Sequence, residues 1–169
     1  NWYFSFLIQP SQNAIGQEHQ WFRFNFVPSQ RRRGRFGIGI LSDQRPIVYG
    51  ERNNAFSDRR VTLGETHLIV FKLRCSRDST DQLSLKIFET GETLPALEPH
   101  QWTVVGHAFE GDDILDEIAV FNGGQRDYAI DELRMGTSWS AVLPRQQTGG
   151  SGKSSEPRSA KSSIGTAKH

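Results

Sequence analysis

Two pairs of adjacent acids are the residues of this chain whose types and spacing first suggest chemistry. Asp116 and Glu117 lie in "LDEIAVF", and Asp131 and Glu132 lie in "IDELRMGTSW", fifteen positions later. Two carboxylates can act as the acid and base of a glycosidase when they are about 5–5.5 Å or about 6.5–9.5 Å apart. Both segments alternate apolar and polar residues like a β-strand, whose successive side chains point to opposite faces. We therefore expect the two acids of each pair to diverge, so that they cannot act on one substrate atom.

Strand alternation also assigns each acid to a face. It predicts that Asp116 shares a face with Ile118 and Val120, and that Asp131 shares one with Leu133 and Met135. An Asp on an apolar face at the start of a strand is expected to accept hydrogen bonds from the backbone of a neighbouring loop. On the opposite face of the second strand, Glu132 and Arg134 are predicted to form an exposed ion pair, worth about 0–1 kcal/mol. Both acid pairs are therefore interpreted as structural.

A second group of residues could bind a saccharide. Aromatic rings can stack on the apolar face of a pyranose, while Asn and Arg side chains nearby bond its hydroxyl groups. The run "QWFRFNFV" places Trp21, Arg23 and Asn25 on the strand face opposite its three Phe side chains. With residues of the following loop region they make up the candidate carbohydrate-binding set: Trp21, Arg23, Asn25, Tyr49, Arg52 and Asn53. The alternative is that a crossing loop covers this face, which would then be structural.

Other kinds of site find less support in the sequence. The five His residues show no HxH or HExxH spacing, so neither a transition-metal site nor a cofactor is predicted. The acidic turns "EGDD" and "SRDSTD" leave Ca²⁺ open, although such turns are usually only solvated. The cluster "RRRGR" at 31–35 could contact an anionic glycan or be a solvated loop. With a net charge of +1 and no aromatic motif of the RNA-binding type, no nucleic-acid partner is predicted. No apolar run approaches the roughly 20 residues of a membrane helix.

Short β-strands are the elements that must position these residues. Alternating segments such as "HLIVFKLRC" (67–75) and "DQLSLKIF" (81–88) are separated by turn signals such as "SDQRP" and "ETGET", without a helical period. This pattern predicts an all-β protein, an antiparallel two-sheet β-sandwich of the jelly-roll type. After Pro144 the chain is rich in Ser, Gly and Lys and poor in apolar residues. We therefore expect one domain, residues 1–144, and a disordered tail, residues 145–169.

The closing segment of the predicted domain carries a family resemblance. "IDELRMGTSWSAVLP" resembles the last strand of laminin-G-like jelly rolls in the concanavalin A-like lectin/glucanase superfamily, in particular a bacterial variant that ends in "DEIRIGTSW". Upstream, "TLGETHLIVFKLRCSRDSTDQLSLKIF" resembles that variant's pair of long strands, and "NWYFSFLIQP" resembles its early aromatic strand. The resemblance spans about residues 1–144 and implies a concanavalin A-like sandwich that lacks its N-terminal strand. We expect Trp139 to hold the closing segment against this sandwich.

The resemblance also implies a setting and a class of function. Such domains occur in large exported bacterial proteins, some with a FecR-like segment, which implies an extracellular, periplasmic or cell-surface location. Retaining glucanases of the superfamily resemble one another in a strand motif Glu-X-Asp-X-X-Glu, which the nearest stretch here, "EGDDILDEIAV", does not match. We therefore expect no enzyme activity and, as the leading hypothesis, a non-catalytic module that binds a polysaccharide or glycan or mediates adhesion. The alternatives are a structural sandwich whose partner is another protein domain, and a glucanase-like hydrolase.

Overall fold

The computed structural model describes residues 1–12, 21–28, 36–50, 53–76, 79–107, 115–123 and 127–144. These residues form ten β-strands and one short helix: β1 (Trp2–Pro10), β2 (Trp21–Pro28), β3 (Phe36–Ile40), β4 (Pro46–Tyr49), β5 (Asn54–Phe56), β6 (His67–Arg74), β7 (Gln82–Phe88), β8 (Val104–His107), β9 (Leu115–Gly123), β10 (Tyr128–Gly136) and α1 (Trp139–Val142). The predicted tail at 145–169 and the basic cluster at 31–35 lie outside the described residues. The domain boundary after Pro144 therefore stays a prediction.

The strands form two five-stranded antiparallel sheets that face each other. Sheet A has the strand order β10-β1-β6-β7-β8, and sheet B has the order β5-β4-β3-β2-β9. All of the strand pairs are antiparallel. The sandwich predicted from the sequence is thus confirmed.

Phenylalanine rings fill the space between the sheets. The three Phe residues of β2 are buried against β1, where ring centroids are 5.2 Å apart for Phe4 and Phe26 and 5.7 Å apart for Phe6 and Phe24. Phe71 of β6 stacks on Phe4 at 4.9 Å. Such pairs contribute about 0.5–1.5 kcal/mol each beyond the area that they bury. The apolar faces that alternation predicts for β2, β6 and β7 are confirmed as core faces.

The outer face of sheet A is apolar as well. Leu68 and Val70 of β6 and Phe88 of β7 are buried there in a second cluster, which α1 covers. Ser5 of β1 donates a hydrogen bond from Oγ to the backbone oxygen of Val142 in α1. An antiparallel sheet commonly leaves one face in water. Sheet A therefore depends on the closing segment of the chain to cover its second face.

Glu98 holds the connection between β7 and β8 against the same outer face through hydrogen bonds. Its carboxylate accepts hydrogen bonds from Tyr3 Oη and from Lys72 Nζ, the latter at 2.7 Å. Burial raises the pKa of Glu98, but the hydrogen bonds from Lys72 and Tyr3 outweigh burial and leave the pKa below its ordinary value of 4.5. Because one carboxylate joins two strands to one connection, it restrains three segments together.

We expect Glu98→Gln to lower the free energy of unfolding by about 1.5 kcal/mol at neutral pH, at the low end for hydrogen bonds to charged groups. The low end applies because the Glu98 side chain remains 32% exposed. The pKa of Glu98 is lowered in the folded state, so its stabilisation is complete above 4.5 and is lost as the pH falls through the folded-state pKa. Urea unfolding at a series of pH values measures this dependence. Glu65→Gln, at an exposed position, is the control, and an unchanged acid dependence in Glu98→Gln would contradict the assignment.

A β-bulge in β10 changes the faces that its side chains occupy. Asp131 pairs with Leu7 of β1 and Arg134 pairs with Ser5, so two residues of β10 oppose one residue of β1. Asp131 and Arg134 consequently share the outer face, whereas Met135 lies on the inner face. The expectation that Asp131 shares a face with Leu133 and Met135 is therefore wrong, because one inserted residue reverses the alternation.

Glu132 occupies the bulge in a left-handed backbone conformation, with φ of 56°. Asp131 Oδ1 accepts a hydrogen bond from the Glu132 backbone N–H at 2.7 Å, so this acid supports the bulge itself and not a neighbouring loop. Arg134 donates from Nη2 to Glu132 Oε2 at 2.5 Å, which confirms the predicted exposed ion pair. A residue with a Cβ pays roughly 1–2 kcal/mol for this conformation.

We expect Glu132→Gly to be more stable than Glu132→Ala by about 1 kcal/mol. Both variants lose the ion pair with Arg134, but only Gly adopts a positive φ without strain. Chemical denaturation of the two variants measures the difference. Ala129→Gly, in the extended part of the same strand, is the control and should destabilise the fold by about 0.5–1 kcal/mol. A Glu132→Gly variant less stable than Glu132→Ala would show that the bulge does not strain the backbone.

Candidate functional site

The outer face of sheet B brings together part of the predicted carbohydrate-binding set. Arg23 of β2 and Tyr49 of β4 lie on this face, on either side of the central strand β3. The Arg23 guanidinium lies over the Tyr49 ring, with Cζ 5.3 Å from the ring centroid. This distance is in the range of a cation–π contact. The face therefore holds a positive charge on an aromatic ring, and both side chains are half-buried.

Two glycines of β3 allow this contact across the strand. Gly37 lies between Asn25 and Tyr49 in the sheet, and Gly39 lies beside Arg23. A Cβ at Gly39 would be 2.6 Å from a backbone oxygen of β2, and a Cβ at Gly37 would overlap another. Glycine inside a strand often marks a close approach of backbone or ligand. Because β3 presents no side chain here, Arg23 reaches across it to Tyr49.

Exposed aromatic rings flank the Arg23–Tyr49 pair. Phe121 of β9 pairs with Arg23 on one side, and Phe56 lies on β5 at the opposite edge of the sheet. Arg45 lies over the Phe56 ring, with Cζ 5.4 Å from the centroid, and its Nε is 2.5 Å from Asp43 Oδ2. The outer face of sheet B thus combines two arginine–aromatic pairs with a further exposed ring.

Three residues of this face were not predicted from the sequence: Phe121, Phe56 and Arg45. The alternation of "ILDEIAVF" is compatible with an outward Phe121, but the pairing of β9 with β2 that places it beside Arg23 cannot be read from that segment. Phe56 lies in a strand of only three residues, too short for a periodic signal. Long-range pairing, and not local pattern, assembles this part of the face.

Asn25 lies on the same face but is only 1% exposed. Its Oδ1 has no hydrogen-bond partner among the residues that the structure describes. A buried polar atom without a partner costs about 1–3 kcal/mol and is rare enough in native proteins to call for an explanation. A surface saccharide would not reach Asn25 without some opening of the face.

The remaining candidates lie elsewhere or outside the described residues. Asn53 is exposed in the turn between β4 and β5, where its backbone oxygen accepts a hydrogen bond from Gly50 at 3.1 Å. The backbone of Trp21 pairs with β9, but its side chain lies outside the described residues, as does all of Arg52. The carbohydrate-binding role of all six residues stays a prediction.

The residues assigned a structural role are also distributed. Trp139 is buried on the outer face of sheet A, and Asp131 and Glu132 form the bulge of β10. The Asp116 side chain lies outside the described residues, whereas Glu117 is exposed on the outer face of sheet B. The acids of β9 and β10 therefore belong to different sheets.

The described part of the chain contains no group of three or more His, Cys, Asp or Glu side chains that could hold a metal ion. In "SRDSTD", Asp81 Oδ1 accepts a hydrogen bond from the Ser76 backbone N–H at 2.8 Å, while "EGDD" lies outside the described residues. Calcium binding stays an untested expectation. Within the described ranges, no helix has the length and apolar character needed to cross a bilayer.

Comparisons with known proteins bear on the fold. No protein-family model matches the chain, and no curated protein matches it. Among solved structures, the chain is similar to the crystal structure of endo-β-1,4-glucuronan lyase from the fungus Trichoderma reesei, with a TM-score of 0.61 and 15% sequence identity over 86% of this chain and 71% of that chain. At this identity the likeness establishes the fold. It supports the jelly-roll sandwich, while the laminin-G-like and bacterial features of the resemblance stay predictions.

The same comparison overturns one expectation. The prediction that the chain is not an enzyme is wrong, because the fold that it shares is that of a lyase. The prediction rested on the missing carboxylate spacing of hydrolytic glucanases.

Proposed function

We propose that this domain acts on an acidic polysaccharide, a β-1,4-linked glucuronan-like chain that it binds along the outer face of sheet B. The observation that carries the proposal is the Arg23 guanidinium held over the Tyr49 ring at 5.3 Å. The polysaccharide cleaved by the structurally similar lyase supports the choice of ligand.

Arginine is suited to the carboxylate that distinguishes a polyuronate from a neutral glucan. Its planar guanidinium presents paired N–H donors that match a carboxylate, and such charge-assisted bonds are stronger than neutral ones. The Tyr49 ring restricts the Arg23 side chain, so less conformational entropy is lost when a ligand binds. The Arg23 site would therefore select for an acidic sugar.

The flanking rings fit a chain that extends across the strands. Phe121 and Phe56 lie on β9 and β5, the two edges of sheet B, with the Arg23–Tyr49 pair between them. Neighbouring strands are about 4.7–4.9 Å apart, so four strand spacings cover roughly 19 Å. A ligand that contacts both edges must accordingly be an oligosaccharide and not a single sugar.

The test compares two polymers that share a backbone linkage. Isothermal titration with glucuronan oligosaccharides should show binding that weakens as salt is added. β-1,4-Glucan oligosaccharides of equal length, in which each carboxylate is replaced by a hydroxymethyl group, should bind at least about tenfold more weakly. Equal affinity for the two polymers would contradict a carboxylate-selective site, and no affinity for either would sink the proposal.

Cleavage of the bound chain is the second candidate function, favoured by the presence of a tyrosine beside the carboxylate-binding arginine. The Tyr49 hydroxyl is buried, so the face would have to open before Tyr49 could remove the proton on C5. The C4–O bond would then break as the C4–C5 double bond forms, and a proton would pass to the departing oxygen. Arg23 would stabilise the charge that develops on the carboxylate. Ultraviolet absorbance of the unsaturated product measures the reaction. The Tyr49→Phe variant should still bind glucuronan but should show no change in absorbance. If the wild-type chain and Tyr49→Phe cleaved glucuronan at equal rates, Tyr49 would be excluded as the base.

An extracellular, periplasmic or cell-surface location belongs to the same proposal, because polysaccharides of this kind lie mostly outside the cytoplasm. Fractionation of cells that express the protein, followed by immunodetection, tests the location. Detection in the cytoplasm alone would contradict this part of the proposal.

A further inference from the structure

A row of apolar side chains is exposed along the edge of the sandwich formed by β9 and β10. The strands lie next to β2 and β1, so they flank the phenylalanine core on the same side. Five of their apolar side chains are between 42% and 60% exposed: Ile118, Val120, Ile130, Leu133 and Met135. Isolated exposed apolar residues are normal, but a contiguous set marks an interaction site. We call this set the edge cleft.

Strand register shows that the side chains of the edge cleft lie on the inner faces of the two sheets, and not on the outer faces. Val120 pairs with the core residue Phe24 of β2, and Met135 pairs with the core residue Phe4 of β1. In a sandwich these inward positions are ordinarily covered by the opposite sheet. Here both inward faces remain exposed, so the two sheets do not close over this edge.

The two strands that carry the edge cleft are also the edge strands of their sheets. Among the described residues, β10 pairs with β1 alone and β9 pairs with β2 alone. No described strand pairs with the outer edge of β10, so on either side of the bulge at Glu132 this edge can accept a further strand. Open edges with adjacent apolar pockets are the features that an added β-strand recognises.

The charge of the edge decides what kind of strand fits. The segments 115–123 and 127–136 contain five acidic residues and one basic residue, Arg134. Arg134 donates to Glu132. Asp131 lies on the outer face of β10, so it would stand beside the outward side chains of a strand added to that edge. Opposite charges on neighbouring strands stabilise a pair, and like charges destabilise it.

We propose that the edge cleft binds an extended strand of a partner protein in which apolar residues alternate with Lys or Arg. The strand pairs with the edge of β10. Its apolar side chains enter the cleft between Val120 and Met135, while its basic side chains lie outward beside Asp131. A second copy of this chain does not meet this requirement through the same edge, because the acidic residues of the two copies would face each other. The surface is separate from the outer face of sheet B and does not depend on the proposed function.

Three synthetic peptides of about ten residues, the length of a long strand, test the proposal with the full chain. One alternates Val and Lys, the second alternates Val and Glu, and the third alternates Ser and Lys. Fluorescence anisotropy measures their affinities, and hydrogen exchange measures protection of the amides of β10. We expect the Val–Lys peptide to bind at least about tenfold more tightly than either of the others. Binding should protect the amides of β10.

Variants of the cleft make the result specific. Val120→Asp and Met135→Asp, at exposed positions, should each weaken binding of the Val–Lys peptide about tenfold or more. Val105→Asp, at an exposed apolar position of β8 on the opposite edge of sheet A, is the matched control and should change affinity less than about twofold. If the Ser–Lys peptide bound as tightly as the Val–Lys peptide, charge alone would explain the binding and the proposal would be overturned. If the wild-type chain self-associated and Met135→Asp abolished that self-association, the proposal would also be overturned, because the occupant of the cleft would be a second copy of the chain.

Discussion

Replacing Trp139 with Ala is expected to lower the free energy of unfolding by about 3–5 kcal/mol, the range for large aromatic side chains in a core. Trp139 is 5% exposed and packs between Phe88 and Trp102, with ring centroids at 6.2 Å and 6.0 Å. Its indole Nε1 donates a hydrogen bond to the Pro95 backbone oxygen at 2.9 Å. The substitution leaves a cavity over the outer face of sheet A and removes the contact that joins α1 to the β7–β8 connection. Since whole domains are stable by about 5–15 kcal/mol, a loss of this size is a large fraction of the total.

Urea unfolding of the wild-type and variant chains measures the effect. Trp139→Phe keeps most of the apolar contact and loses the hydrogen bond, so we expect a cost of about 1–2 kcal/mol. Trp2→Ala removes a ring of equal size that is 45% exposed, compared with 5% for Trp139, and should cost less. If Trp139→Ala were as stable as Trp2→Ala, the packing of α1 on sheet A would not contribute to the free energy of unfolding of the domain.

The stable parts of the fold were predictable where one strand face is buried and the other is polar. On β2, Phe22, Phe24 and Phe26 alternate with Arg23 and Asn25, and a register slip by one residue would move every ring to the wrong face. Local pattern therefore specifies both the strand and its core face. The same reasoning gave the inner faces of β6 and β7.

The outer face of sheet A was not predictable in this way. On β6, Leu68 and Val70 are apolar on the face that alternation assigns to solvent, and the helix that covers them is formed by residues about 70 positions later. Sequence alone marks these residues as apolar without naming what covers them. Trp139 was recognisable as an anchor only through the family resemblance of the closing segment.

The bulge and the candidate site show two further limits. Asp131 was assigned to the wrong face because the insertion at Glu132 leaves no turn residue in the sequence, and Glu adopts the left-handed conformation that Gly ordinarily takes. At the site, Arg23 and Tyr49 were both named as candidates, but their contact depends on Gly37 and Gly39 in the strand between them. Residue types indicate what a face can bind, and strand order decides which of them meet.

Replacing Arg23 with Ala is expected to weaken glucuronan binding by about 10- to 150-fold, which corresponds to the loss of about 1.5–3 kcal/mol for hydrogen bonds to a charged group. Arg23 is half-buried against Tyr49, so its charge is less screened than that of an arginine in water. Arg23→Lys retains the charge but loses the planar pair of donors, and should recover only part of the affinity. Arg45→Ala is the matched control, because Arg45 also lies over an aromatic ring of this face and its Nε is 2.5 Å from Asp43 Oδ2. We expect Arg45→Ala to weaken binding less than about fivefold, the scale of an exposed ion pair.

Titrations are compared at one salt concentration after circular dichroism has shown that each variant is folded. If Arg23→Ala and Arg45→Ala weakened binding equally, the carboxylate would be recognised by the general positive charge of the face and not by the arginine that crosses β3.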